Sequence, residues 1–221
     1  LSSFYFGTKE LLPLWVADMD FRTPDFVMEA IRKRSEHEIM GYTVRNKDFF
    51  TPIINWIKYK HDWLISRSWI GFVQGIVPAM AVSVLAFTQP DDKIIIQSPV
   101  YPPFFTLVEN NNRQLIINQL LLENGQYRMN FKELRKQVAD PKVKMLLLCS
   151  PHNPGGRVWN KEELKELATI CAENNVIVVA DEIHADLVLP GYQHIPFATV
   201  SEVAMQNSIT LMAPSKTFNI A

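Results

Sequence analysis

From residue 69 onward the apolar positions fall into short β-rich runs that alternate with amphipathic runs. The stretches 69–74, 93–97, 113–118, 143–149, 176–180 and 208–212 read as strands. Between them, 77–88 reads as a helix apolar enough to be buried, and 102–110 as a second helix. Asn130 caps a predicted helix through Ala139 that Asp140-Pro141 ends. Asn160 caps another to about Asn174, with Glu163 three residues on completing a capping-box start. The stretch 120–127 is irregular or extended around the turn signal Asn124-Gly125. Near-continuous apolar strands that alternate with helices predict an α/β protein with a mostly parallel sheet.

The first 68 residues follow another pattern. Residues 13–21 are extended, and 24–39 and 48–61 have helical periodicity. Phe49, Phe50, Trp56, Tyr59 and Trp63 concentrate aromatic surface there. Two readings stand for this region, a packed helical arm and a dimer-contact segment. No internal repeat or low-complexity linker interrupts the chain.

Composition narrows the function classes. At 221 residues, 48% hydrophobic and 20% charged, the chain can bury a full core and is not disordered. A net charge of −1 gives no electrostatic attraction to nucleic acid or to an anionic membrane. No apolar stretch is long enough to span a bilayer, and no signal peptide is expected. Cys149 and Cys171 lack metal-ligand spacing and read as buried thiols of a cytoplasmic protein; no metal site is expected. The chain starts at Leu1 and stops in the apolar Ile220-Ala221, so it reads as an internal fragment of a longer protein.

In an open parallel sheet, ligands bind outside the carboxyl ends of the strands. The residues that follow the predicted strands are Gly75-Ile76-Val77, Ser98-Pro99-Val100-Tyr101, Ser150-Pro151-His152-Asn153-Pro154-Gly155-Gly156, Asp181-Glu182-Ile183-His184 and Ser215-Lys216. A small residue, an aromatic ring, an amide, a carboxylate and a lysine therefore face one rim, a set suited to a phosphorylated aromatic aldehyde. A lysine after a buried strand lies partly out of water, which favours its neutral, nucleophilic amine and Schiff-base chemistry. The alternative for Lys216 alone is a solvated loop lysine.

With Leu14-Trp15-Val16-Ala17-Asp18-Met19-Asp20-Phe21, Gly41-Tyr42-Thr43, Pro99-Val100-Tyr101-Pro102-Pro103-Phe104, the extension Arg157-Val158-Trp159 and Ser215-Lys216-Thr217-Phe218-Asn219-Ile220, these segments run in order through the chain. They resemble the fold-type I pyridoxal-phosphate enzymes of the class I/II aminotransferase superfamily, and within it the cystathionine β-lyase/C–S lyase branch labelled MalY/PatB. The resemblance implies a three-layer α/β/α sandwich, truncated at both ends. It implies an N-terminal segment over 1–45, an incomplete cofactor-binding large domain over 46–221, and a C-terminal small domain outside this chain. That domain carries the arginine that grips the substrate carboxylate.

The resemblance also implies roles, with pyridoxal 5′-phosphate as cofactor. Lys216 forms the Schiff base and then acts as base at the substrate Cα. Asp181 pairs with the pyridine nitrogen, Asn153 with the phenolic oxygen, and Tyr101 stacks on the ring. Gly75 and Ile76 offer N–H groups to the phosphate, helped by Ser215 and by Tyr42 from the partner subunit of a homodimer. His184 lies near the phenolic oxygen or is purely structural. Val16 and Ala17 line the substrate side through backbone groups. Ala213 stands where relatives often carry a phosphate-binding serine, and Gly155 where many carry threonine, a change the turn tolerates. The implied reaction is β-elimination from cystathionine or cysteine S-conjugates, giving pyruvate, ammonia and a thiol. Transamination of an amino acid is the second reading, and a pyridoxal-phosphate-binding regulatory module a third of another class. Small-molecule amino acids are the expected substrates.

Overall fold

The computed structural model describes residues 2–11 and 17–221. In chain order its elements are α1 (Ser2–Phe6), α2 (Asp25–Ser35), α3 (Lys47–His61), α4 (Ile76–Phe87), β1 (Lys93–Ser98), α5 (Pro103–Asn110), β2 (Gln114–Gln119), β3 (Leu121–Glu123), β4 (Gln126–Arg128), α6 (Phe131–Val138), β5 (Val143–Cys149), α7 (Lys161–Glu173), β6 (Ile177–Asp181), α8 (Glu202–Gln206), β7 (Ser208–Leu211) and α9 (Pro214–Thr217). They fall into two compact units, Leu1–Gly41 with Pro214–Ala221, and Tyr42–Ala213.

The larger unit is built on a five-stranded sheet in the order β2-β1-β5-β6-β7, every pair parallel. Side chains alternate across a strand, and the alternation sorts the core into two layers. Ile94, Ile96, Met145, Leu147, Cys149 and Val179 face one side, where α4 and α5 supply Ile76, Met80, Val84, Phe104 and Val108. Ile95, Leu146, Leu148, Val178 and Ala180 face the other, where α6, α7 and α8 supply Leu134, Leu164, Leu167, Ile170, Cys171 and Ala204. The larger unit is thus the expected three-layer α/β/α sandwich. Each fully buried large aliphatic side chain contributes about 1.5–3 kcal/mol.

Local signals account for most element boundaries. Asn160 Oδ1 accepts from Glu163 N–H at 2.8 Å, and the Glu163 carboxylate accepts from Asn160 N–H at 3.0 Å, a complete capping box. Asn130 caps α6 through a bond from Glu133 N–H at 3.1 Å. The stretch after β2 forms a hairpin of β3 and β4, and Asn124 and Gly125 turn it with φ of 51° and 77°, as a two-residue hairpin loop requires.

Three expectations are corrected. The expected strand 69–74 does not form: Trp69 closes a short 3-10 turn begun at Arg67, and the apolar run after it favours extended backbone, but a strand also needs a ladder partner, and β7 pairs only with β6 among the described residues. Helix α4 buries one stripe, Ile76, Ala79, Met80, Ser83 and Val84, and leaves Val82, Leu85 and Phe87 more than half exposed, because only one of its faces meets the sheet. Helix α2 ends at Ser35 rather than near Ile39, since the Arg34 guanidinium donates to the carbonyls of His37 and Ile39 and holds that segment off the helix. The predicted extended stretch 13–21 lies partly outside the described residues; 17–21 contains no regular element. Among the described residues no helix is long and apolar enough to cross a membrane.

Candidate functional site

Because the sheet is parallel, the carboxyl ends of β1, β5 and β6 open on one rim. The register pairs Ile96 with Leu147 and Cys149 with Asp181, so the strands end level. Helix α4 runs back toward the start of β1, which places its N-terminus toward the same rim.

Asp181 closes β6 with 6% of its surface exposed. By alternation its side chain lies on the Val179 and Cys149 side of the sheet, the side covered by α4. Its Oδ1 accepts from Ile183 N–H at 3.1 Å. Burial pushes its pKa up to about 6; the Ile183 N–H opposes this, and the neighbouring Glu182 charge adds to it. A cationic N–H group at this carboxylate would restore its charge. Glu182 points elsewhere: it bonds His194 Nε2 at 2.8 Å and accepts from Phe197 N–H at 2.7 Å, wholly buried. His184 sits half-buried in the turn that follows, where its carbonyl accepts from Leu187 N–H at 2.9 Å.

Asn153 is half-buried in the loop after β5, and its N–H donates to Cys149 Sγ at 3.3 Å. The loop is held at several points. Trp159 Nε1 donates to Cys149 C=O at 2.9 Å, and His152 N–H donates to Arg157 C=O at 2.8 Å. Arg157 lies over the Trp159 ring at 4.2 Å, pairs with Glu163 and donates to Tyr127 C=O. His152 packs edge-on against Trp159 at 5.5 Å and accepts from Gly155 N–H at 3.2 Å. Burial lowers its pKa to about 4, so it is a neutral structural imidazole. Gly155 has no room for a side chain: a Cβ there would stand 2.5 Å from His152 Nδ1 and 2.9 Å from Tyr127. Glycine is therefore the residue that this loop accommodates without a shift of His152 or Tyr127.

Tyr101 lies between β1 and α5, 43% exposed, on the chain segment anchored by buried Val100. Gly75 is the N-cap of α4 at φ 95°, a conformation that glycine adopts without strain, while Ile76 begins the helix. A twelve-residue helix presents its first N–H groups and positive dipole end here, which suits an anion. The hydroxyl of Ser150 and the amide of Gln97 are also buried at the ends of β5 and β1 with no protein partner among the described residues. Tyr42 is fully exposed outside any regular element.

Lys216, Ser215 and Ala17 belong to the smaller unit. Lys216 lies in α9, half-buried, and its Nζ donates to Ala17 C=O at 2.6 Å. Ser215 C=O accepts from Ile220 N–H at 2.9 Å. Asn219, quoted in a motif but given no role by sequence, bonds Met19 and Phe21. Val16 lies outside the described residues. The structure therefore gathers Asp181, Asn153, Tyr101, His184 and the Gly75–Ile76 helix start toward one sheet rim, and separately places Lys216 on Ala17. The loop supports His152 and Arg157 escaped sequence reasoning, because their role depends on partners distant in the chain.

These features match known proteins throughout the chain. The pattern described as Aminotransferase class I and II matches residues 9–221. Cystathionine beta-lyase PatB of Bacillus subtilis (strain 168) is 44% identical over 216 residues, 98% of this chain and 56% of that protein. The crystal structure of cystalysin from Treponema denticola, which contains a pyridoxal 5′-phosphate cofactor, superposes with a TM-score of 0.93 at 41% identity, over 96% of this chain and 54% of that one. The PLP-bound C–S lyase from Staphylococcus hominis gives a TM-score of 0.90 at 37% identity, over 99% of this chain and 56% of that one. The chain spans about half the length of the curated relatives it matches.

Proposed function

We propose, for a chain that belongs to the aminotransferase class I and II family, that its full-length protein is a pyridoxal 5′-phosphate-dependent carbon–sulfur β-lyase. It converts cystathionine or a cysteine S-conjugate and water into a thiol, pyruvate and ammonium. The observation that carries the cofactor assignment is Asp181, a carboxylate only 6% exposed at the end of β6, whose pKa burial pushes up to about 6. The lyase outcome is supported by the 44% identity to a relative named for it.

The donor set fits the cofactor. Asp181 would hold a proton on the pyridine nitrogen, and Asn153 would donate its side-chain amide to the phenolic oxygen, with His184 beside it. Tyr101 would offer its exposed ring to the pyridine. The N–H groups of Gly75 and Ile76 at the start of α4 would take the phosphate, a task that Ser215 and the partner's copy of Tyr42 would share. When bound, pyridoxal phosphate supplies the electron sink that stabilises negative charge at the substrate Cα. Lys216 removes the Cα proton with its ε-amine. The backbone of Ala17 would border the substrate, which is consistent with Ala17 C=O standing against Lys216 Nζ. Loss of the thiolate from Cβ completes the elimination.

The protein works as a cytoplasmic homodimer in this reading. The exposed apolar residues Val82, Leu85 and Phe87 of α4 and the aromatic surface of Trp69 and Phe72 support a subunit contact. Residues 1–45 serve the arm and dimer contact, and 46–221 form the larger part of the cofactor domain. The family's own description favours a second reading, transamination.

The test uses full-length protein loaded with the cofactor. Incubation with L-cystathionine should release pyruvate and free thiol while the cofactor keeps its starting spectrum. Conversion of the cofactor to its pyridoxamine form without pyruvate would overturn the lyase reading in favour of transamination.

A further inference from the structure

Asn219 ends the turn that follows α9, and both donor hydrogens of its side-chain amide are used. Oδ1 accepts from Met19 N–H at 3.1 Å, while Nδ2 donates to Met19 C=O at 2.8 Å and to Phe21 C=O at 2.9 Å. One acceptor and two donor hydrogens thus meet one N–H and two carbonyls. Its backbone adds a fourth link, because Thr23 Oγ1 donates to Asn219 C=O at 3.1 Å. The segment so held also offers Ala17 C=O to Lys216 Nζ at 2.6 Å. Asn219 is fixed in turn to the lysine: Phe218 N–H donates to Pro214 C=O and Ile220 N–H to Ser215 C=O, both at 2.9 Å. Beside it, Phe218 meets Phe26 edge-on at 6.1 Å.

The backbone of Asn219 is left-handed, with φ 53°. Glycine and asparagine adopt this conformation readily, and bulkier residues do not. Conformation alone would be met by glycine. The amide supplies what glycine lacks, a substitute for a neighbouring strand along 19–21.

We propose that Asn219 is a positioning residue: its amide registers residues 19–21 against the lysine turn and so sets where Ala17 C=O stands relative to Lys216 Nζ. Asn219 touches no reacting atom. Its effect on turnover rests on the lyase reading, whereas the registration does not.

Two full-length variants test this. Asn219→Gly keeps the left-handed backbone and deletes all three amide bonds. Asn219→Asp keeps the acceptor for Met19 N–H but turns a carboxylate oxygen toward two carbonyls. Hydrogen–deuterium exchange of the peptide covering Met19–Phe21, in cofactor-free protein, should speed up on the order of tenfold in Asn219→Gly and further in Asn219→Asp. Peptides from β5 and β6 serve as the reference and should not change. In loaded enzyme, KM for a cysteine conjugate should rise more than kcat falls. Native-like exchange in Asn219→Gly would overturn the proposal, since asparagine would then serve only its backbone conformation. Equal acceleration in the reference peptides would also overturn it, because the effect would be global. Altered exchange with no pyruvate from either variant or the native enzyme would sink the lyase reading and leave the registration standing.

Discussion

Cys149 and Asp181 are register partners at the carboxyl ends of β5 and β6, and the Asp181 charge adds to the burial that keeps the Cys149 thiol protonated. The carboxylate bears a cost of its own at neutral pH, chiefly from burial. Its pKa rises from the ordinary 3.8 to about 6, so below 3.8 the group is protonated folded or unfolded and contributes nothing. Between the two values the folded state binds more protons than the unfolded chain, and stability falls as pH rises. Above about 6 the full cost remains, about 3 kcal/mol. In cofactor-free full-length protein, Asp181→Asn should therefore raise the melting temperature at pH 7.5 and leave it unchanged near pH 4. The same substitution in loaded enzyme should lower kcat by about 10²–10³-fold, the scale for removing one preorganised electrostatic partner. A variant no more stable than the native protein at pH 7.5 would contradict the strain assigned to Asp181.

Burial is also the main force that pushes the Cys149 thiol up to about 12, with the Asp181 charge next, and burial alone does the same to Cys171. Both are free thiols. Native protein at pH 8 should take up iodoacetamide at these two positions at least about tenfold more slowly than unfolded protein, because the thiolate is the reacting form. Mass spectrometry of the labelled peptides reads this directly.

Gly155 has a steric requirement that can be isolated. Gly155→Ala should destabilise the protein by about 1–3 kcal/mol, the usual cost of overpacking. His152→Ala removes the nearer of the two obstacles, so the double variant should lose less than the sum of the single losses. Additive losses in urea melts would show that the clash with His152 is not the cause.

Lys216→Ala should abolish the visible absorbance of lysine-linked cofactor and cut pyruvate formation by about 10²–10⁴-fold, the range for loss of a positioned general base. Persistence of that absorbance would place the attachment elsewhere.

Much of this architecture was legible in the chain because its signals are local. The apolar runs of β1, β5 and β6, the Asn160–Glu163 capping box and the Asn124-Gly125 turn depend on near neighbours. The residues 70–74 misled because extended backbone is a local property and strand pairing is not. Helix α4 misled because apolar composition does not say how many of its faces find a partner. At the candidate site, Asp181 and Lys216 stand out by chemical type and position after a strand. His152, Arg157 and Asn219 act through Tyr127, Trp159, Met19 and Phe21, and such pairings exist only once the chain has folded.

The strand order β2-β1-β5-β6-β7 bears on how the protein is made. Once β1 and β2 have paired, β5, β6 and β7 join one after another on the same edge, in the order in which the ribosome releases them. Among the described residues no strand has to be inserted between two already joined, and each arriving strand finds its edge waiting. Synthesis at about 5–20 residues per second lets an N-terminal part fold while the rest is still being made. The rim that carries Asp181 can thus be assembled before the lysine emerges.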